Sequence, residues 1–193
     1  IAGSRIRVIN ESTFPTRVYD GWNTIGSLSS PTSTENVTLL PFGSGAFPAI
    51  IGDIYGYVTN RGYQAVTEIQ PGLGYWMKIS GQAYLSMCCG TLQKSGVNFS
   101  GVRESIKANA TRVMISDDAE NIGEVFVAQQ GTLEARNVFE LPPLPPNNLF
   151  DVRFSNQTYV NDEVNPMIQL QGATFPINVV VNNPSRSYVV TNP

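Results

Sequence analysis

The densest cluster of oxygen ligands in the 193-residue sequence is Asp117-Asp118-Ala119-Glu120-Asn121. A calcium loop needs alternating oxygen ligands closed by a late bidentate carboxylate. Here the acids are bunched just before Gly123, as at a hairpin tip. Asp117, Asp118 and Glu120 are therefore calcium candidates, with a solvated turn as the competing reading and no other cofactor suggested. The chain has no histidine, which removes Ser-His-Asp and Cys-His catalysis and every histidine-containing metal site. Lys78, Lys94 and Lys107 have no spacing to any serine that suggests a Ser-Lys pair. Asp53, Glu68 and Asp151 are not placed by any motif as the paired carboxylates of a glycosidase. The expectation is a protein that is not an enzyme.

Cys88 and Cys89 are the only cysteines, and they are neighbours. Adjacent strand residues point to opposite faces, so a vicinal disulfide needs a turn, which Gly90 permits. Reduced thiols, a vicinal bridge and an intermolecular bridge all fit. The aromatic set Trp22, Tyr55, Tyr57, Tyr63, Tyr75 and Trp76 raises stacking on sugar rings, with Trp76, Tyr63 and Tyr57 as the ligand-binding candidates. The alternative is that these rings build the core and rim of a small β domain. Trp76, opposite in phase to Tyr75 and Met77, is the one expected at the surface. The sequons at Asn10, Asn36, Asn98, Asn109 and Asn156 carry little weight, because such triplets arise by chance.

A net charge of −3 with 14 % charged residues gives no basic field for nucleic acid and no polybasic membrane patch. No run reaches the roughly 18–20 apolar residues of a spanning helix, so no membrane insertion is expected. Hydrophobic residues make up 41 %, enough for a packed core, and 17 glycines with 13 prolines suit many short strands and turns. The fold class expected is all-β, as two small β-sandwich-like modules, 1–92 and 101–193, joined by a short polar linker over 91–101.

The second module is organised by Phe139-Glu-Leu-Pro-Pro-Leu-Pro-Pro-Asn-Asn-Leu-Phe-Asp-Val-Arg-Phe-Ser155. Its prolines fix φ and remove backbone donors, giving an extended strut that no helix or central strand can use. Phe150, Val152 and Phe154 then alternate with Asp151, Arg153 and Ser155, the pattern of a half-buried strand. Further strands are expected at 5–9, 16–19, 22–29, 37–42, 50–59, 63–69, 75–79, 83–89, 112–115, 124–128, 166–171, 174–181 and 188–190, with 102–109 either strand or short helical turn. Asp20-Gly21 and Asn60-Arg61-Gly62 read as hairpin turns, Pro71-Gly72 as the centre of a type II turn, and Pro41 as an edge or end of its strand.

Gly21-Trp22-Asn23-Thr24-Ile25-Gly26, Tyr55-Gly56-Tyr57, Gly62-Tyr63 and Pro71-Gly72-Leu73-Gly74-Tyr75-Trp76-Met77-Lys78 resemble a β module repeated in large secreted bacterial proteins, over about residues 16–89. Those proteins are similar to type IX secretion substrates of Bacteroidota and Chlorobi-like bacteria. The stretch 139–155 resembles the proline-rich motif that follows the module in the same proteins, and Phe175-Pro-Ile-Asn-Val179 resembles their later strand. Asn147-Asn148 departs from the glycine or alanine common there. Such proteins continue into a C-terminal sorting domain, whereas this sequence stops at Pro193, and it starts at Ile1 rather than Met; both fit processing on export.

The resemblance implies an extracellular, secreted or cell-surface location. With many strands and little charge to block their edges, the functional expectation is a non-catalytic structural protein that assembles with copies of itself, as a filament or array subunit. Arg5 and Val8 near one end of the sequence, and Tyr188 and Val190 near the other, mark the expected assembly edges, pairing by strand addition. The alternative is a glycan- or partner-binding accessory module of a larger secreted protein.

Overall fold

The computed structural model of the chain describes residues 16–27, 29–41, 47–87 and 100–182. Within them the fold is all-β apart from one α-helix and two 3-10 turns, and the chain divides into two compact units. The expected strands at 5–9 and 188–190, the linker core 91–99 and both cysteines lie outside the described residues.

In the first unit, β1 (Thr16–Val18), β2 (Gly21–Ile25), β3 (Thr32–Ser33), β4 (Thr38–Pro41), β5 (Ala49–Val58), β6 (Gly62–Ala65), β7 (Glu68–Ile69), β8 (Tyr75–Ser80) and β9 (Ala83–Ser86) follow in order. The last residues of β5, their turn and β6, 55–65, group with the second unit instead. One sheet runs β1-β9-β4, another places β8 between β2 and β5, and β3 pairs with β7. Pro41 closes β4 at the sheet's edge, where a missing N–H does no harm. Gly72 has φ +79° and Leu73 N–H donates to Gln70 O, which completes the type II turn that feeds β8.

The core of this unit is filled from both larger sheets: Val18, Ile25, Leu39, Ile54, Met77, Ile79 and Leu85 are buried together. Along β8, Tyr75, Met77 and Ile79 point inward, while Trp76, Lys78 and Ser80 are half-buried on the other face. On β2 only Ile25 is buried, and Trp22 and Thr24 share the outer face. Asp20-Gly21 does not close a β1–β2 hairpin, because β1 pairs with β9 and β2 with β8. Asn23 instead ties the bend, its amide donating to Tyr19 O and Gly21 O and its carbonyl accepting from Tyr19 N–H. The run 63–69 is two strands, not one, since β6 and β7 belong to different sheets.

The second unit holds α1 (Ser100–Asn109), β10 (Thr111–Asp117), β11 (Ile122–Val127), β12 (Asp151–Phe154), β13 (Val160–Asn161), β14 (Ile168–Gln171) and β15 (Ile177–Asn182). Residues 102–109 are thus helical. Their spacing gathers Arg103, Ile106, Lys107 and Ala110 on one side, and Glu104–Lys107 form an i,i+3 ion pair at 3.6 Å. Lys107 Nζ lies 5.6 Å from the Phe126 ring centroid and 5.3 Å from that of Tyr159, so the aromatic faces that complete the helix's packing come from distant sequence.

One sheet runs β13-β11-β10-β15, and β12 pairs antiparallel with β14 in a second. Val113, Ile115, Val125 and Val127 of the first meet Phe150, Val152 and Phe154 at the second, with Leu170, Ile177 and Val181 against them: a β-sandwich core. The sequence pattern makes β12 a half-buried strand. It is buried on both faces, Asp151 and Arg153 included.

Candidate functional site

The most heavily engaged polar cluster in the second unit surrounds Arg153. Its spacing of two from Asp151 puts both side chains on one face of β12. Arg153 Nε donates to Asp151 Oδ2 at 2.5 Å and one Nη to Oδ1 at 2.9 Å, a fork on a carboxylate. The other Nη donates to Pro142 O at 2.7 Å and to Gln157 Oε1 at 3.1 Å. The Tyr63 ring lies 5.9 Å from the guanidinium, and Tyr63 stands edge-on to Tyr57 with centroids 5.6 Å apart.

These groups hold the proline strut. Its residues lack donors at 142, 143, 145 and 146; side chains supply most of the bonds to its carbonyls, and Leu149 N–H donates to Pro146 O at 2.8 Å. Pro142 O accepts from Arg153, and Pro143 O from the Tyr63 hydroxyl at 3.0 Å. Gln171 Nε2 donates to Pro145 O, Pro146 O and Leu149 O at 3.0, 3.0 and 3.3 Å. The Tyr57 hydroxyl donates to Phe150 O at 3.1 Å. Burial, with the Asp151 charge nearby, pushes the Tyr57 phenol above its ordinary range, which keeps it a donor. Chemically the cluster is a positioning device for the strut and β12.

The acidic turn is built the same way. Asp117 is buried, and its carboxylate accepts from Ala119 N–H, Asn121 N–H, the Asn121 amide and Thr174 N–H at 2.7–3.0 Å. Burial opposes its charge, but these bonds outweigh that and hold the carboxyl below the usual carboxylate range. Asp118 and Glu120 are exposed beside it, Glu120 with φ +62°. Among the described residues no group of three or more His, Cys, Asp or Glu is arranged to hold a metal ion. A further buried acid, Asp162, accepts from Leu133 N–H and pairs with Arg136 at 2.9 Å.

The three aromatic candidates are divided between the units. Tyr57 and Tyr63 belong to the second unit, and Trp76 to the first. Trp76 sits half-buried on the outer face of β8, opposite Thr24 and diagonal to Trp22, which Lys78 approaches at 5.9 Å. Arg5, Val8, Tyr188 and Val190 lie outside the described residues. The sequence reading missed Arg153 and Gln171; the signal was a pair of opposite charges at i,i+2 directly after a donor-poor strut.

Among the edge strands of the described residues are β14, hydrogen-bonded to β12 alone, and β15, hydrogen-bonded to β10 alone. Near them Met167, Phe175, Val179 and Val180 are exposed, Phe175 by 77 %. Comparison with protein-family models, curated proteins and solved structures finds no match.

Proposed function

We propose that the chain is a non-catalytic, exported structural protein of the cell surface or extracellular matrix that assembles with copies of itself through strand edges. The observation that carries the assembly half is the uncharged β15, which ends its sheet among the described residues with Val179 and Val180 exposed. An apolar edge without charge or proline is the template to which another strand adds. The polar clusters support a structural role, because the groups of the Arg153 and Asp117 networks are taken up by the fold's own donors and acceptors. Export rests on the likeness of the Gly-Trp-Asn, Pro-Gly-Leu-Gly-Tyr-Trp and Leu-Pro-Pro-Leu-Pro-Pro stretches to secreted modules. The reading needs no cofactor. Sedimentation and negative-stain microscopy over rising concentration test it: oligomers or polymers are expected, and monomers throughout overturn it. Recovery of the native chain in the cytoplasmic fraction alone overturns the location.

A second reading, a glycan-binding module, draws on Trp76 and Trp22 sharing the outer face of β8 and β2. Trp76→Ala is expected to abolish retention on a glycan array without loss of folding; a flat array for the native protein removes the reading.

A further inference from the structure

We infer that two copies of this chain pair through β15, antiparallel, about a two-fold axis passing at Val180. This rests on the assembly reading above and names its contact. β15 is hydrogen-bonded to β10 from Arg112↔Asn182 to Asp117↔Ile177 without a bulge. Half of its backbone N–H and C=O groups therefore point away from β10, in an unbroken row. Natural edges are blocked by charge, proline or a bulge. Ile177-Asn178-Val179-Val180-Val181-Asn182 has none of these.

The side chains select the partner. Asn178-Val179-Val180-Val181-Asn182 reads the same in both directions. A two-fold axis perpendicular to the sheet keeps each face on its own side. Centred on Val180, it sets Val180 against Val180 of the second copy, Val179 against Val181, and Asn178 against Asn182. Every residue meets its own kind, valine on valine and amide on amide, the pairing that stabilises adjacent strands. A slip of one position turns inward side chains outward, and centring on Val179 sets Asn178 against Val180.

Charge agrees with this orientation. The end of the sheet beside Ile177 carries the exposed Asp118 and Glu120 at the β10–β11 turn, whereas at the end beside Asn182 Arg112 is ion-paired with Glu124 and Lys107 with Glu104, which leaves that end balanced. Antiparallel pairing keeps the two acidic turns apart, whereas parallel pairing sets them alongside each other. At about three strand spacings, roughly 14 Å, this steers orientation more than it adds affinity. A strand of this length is about 20 Å long, and the pair covers less than the ~1,200 Å² of a standard interface, so the dimer is reversible.

Val180 lies on the face away from the core that holds Ile177 and Val181, so a charge there leaves the monomer's packing intact. Sedimentation velocity across about two decades of concentration is expected to show a monomer–dimer equilibrium for the native chain. Val180→Lys or Val180→Glu alone should weaken it about tenfold or more, since like charges then face each other across the axis. An equimolar mixture of the two should recover native-like dimerisation, with unchanged thermal unfolding of each variant as the folding control. If both variants associate as the native chain does, or the mixture gains nothing, the β15 contact is wrong while the assembly reading stands. A native chain that stays monomeric, its edge covered by another segment of the same chain, overturns both.

Discussion

Arg153 makes four hydrogen bonds and ties β12 to the proline strut. It is fully buried, so its charge is tolerated only because Asp151, Pro142 O and Gln157 surround it. Arg153→Ala leaves the Asp151 carboxylate buried without its partner, which is expected to cost ~3–5 kcal/mol in urea unfolding. Replacing both partners with apolar or neutral residues, Asp151→Asn with Arg153→Met, is expected to cost clearly less than the sum of the single changes. Asp117 makes a pH argument. Its carboxyl titrates lower in the folded chain than in the unfolded one, so its contribution is present above the unfolded value of about 4 and fades as pH falls toward the folded value. Asp117→Asn should therefore be less stable than the native chain at neutral pH, with the gap closing in thermal melts taken below about pH 4. The alternation of Phe150, Val152 and Phe154 was legible in the sequence, and those side chains do enter the core. That Asp151 and Arg153 are buried as well was not, because period-two patterning assigns polar residues to water unless their partners are known. Those partners, Pro142 and Tyr63, lie 11 and 90 positions away.

Strands and strut are held at the distances that two small residues permit. Gly123 on β11 faces β12, and a Cβ there would stand 2.6 Å from Val152 Cγ2 and 3.2 Å from Phe150 Cε1. Gly123→Ala is expected to force the sheets apart at a cost of about 1–3 kcal/mol, read as a lowered urea midpoint. Gly172, at φ +63°, brings the end of β14 against the Leu149 carbonyl group, where a Cβ would collide with backbone. This close approach is also what lets Gln171 reach Pro145 and Pro146. Most element positions follow from local chemistry: Pro71-Gly72 sets its turn, Pro41 ends an edge strand, and β8 alternates. The helix α1 does not, because Gly101 and Ser105 weaken its local preference, and the rings that face Lys107 come from β11 and from Tyr159.

At the scale of the whole molecule, a boundary drawn from composition falls at 91–101, where small polar residues accumulate. Contacts divide the chain differently, placing 55–65 with the residues after 98. The physical reason is specific: the Tyr57 and Tyr63 hydroxyls donate to Phe150 O and Pro143 O, and Ile122 N–H donates to Asn60 O at 2.8 Å. None of this is visible from linear composition, since a tyrosine in a glycine-rich hairpin looks the same whether it stacks on a sugar or caps a proline carbonyl. The second unit is therefore discontinuous, and a fragment that begins at residue 98 lacks three donors and acceptors that its strut, β12 and β11 use. Such a fragment is expected to unfold at lower urea than the same unit does in the intact chain, followed by far-ultraviolet circular dichroism because both tryptophans lie outside it. In the intact chain, Tyr63→Phe and Tyr57→Phe each remove one hydrogen bond and are expected to lower stability by about 0.5–1.5 kcal/mol. A fragment as stable as the intact unit would mean that the hairpin is a passenger, and the two tyrosine variants would then be silent as well.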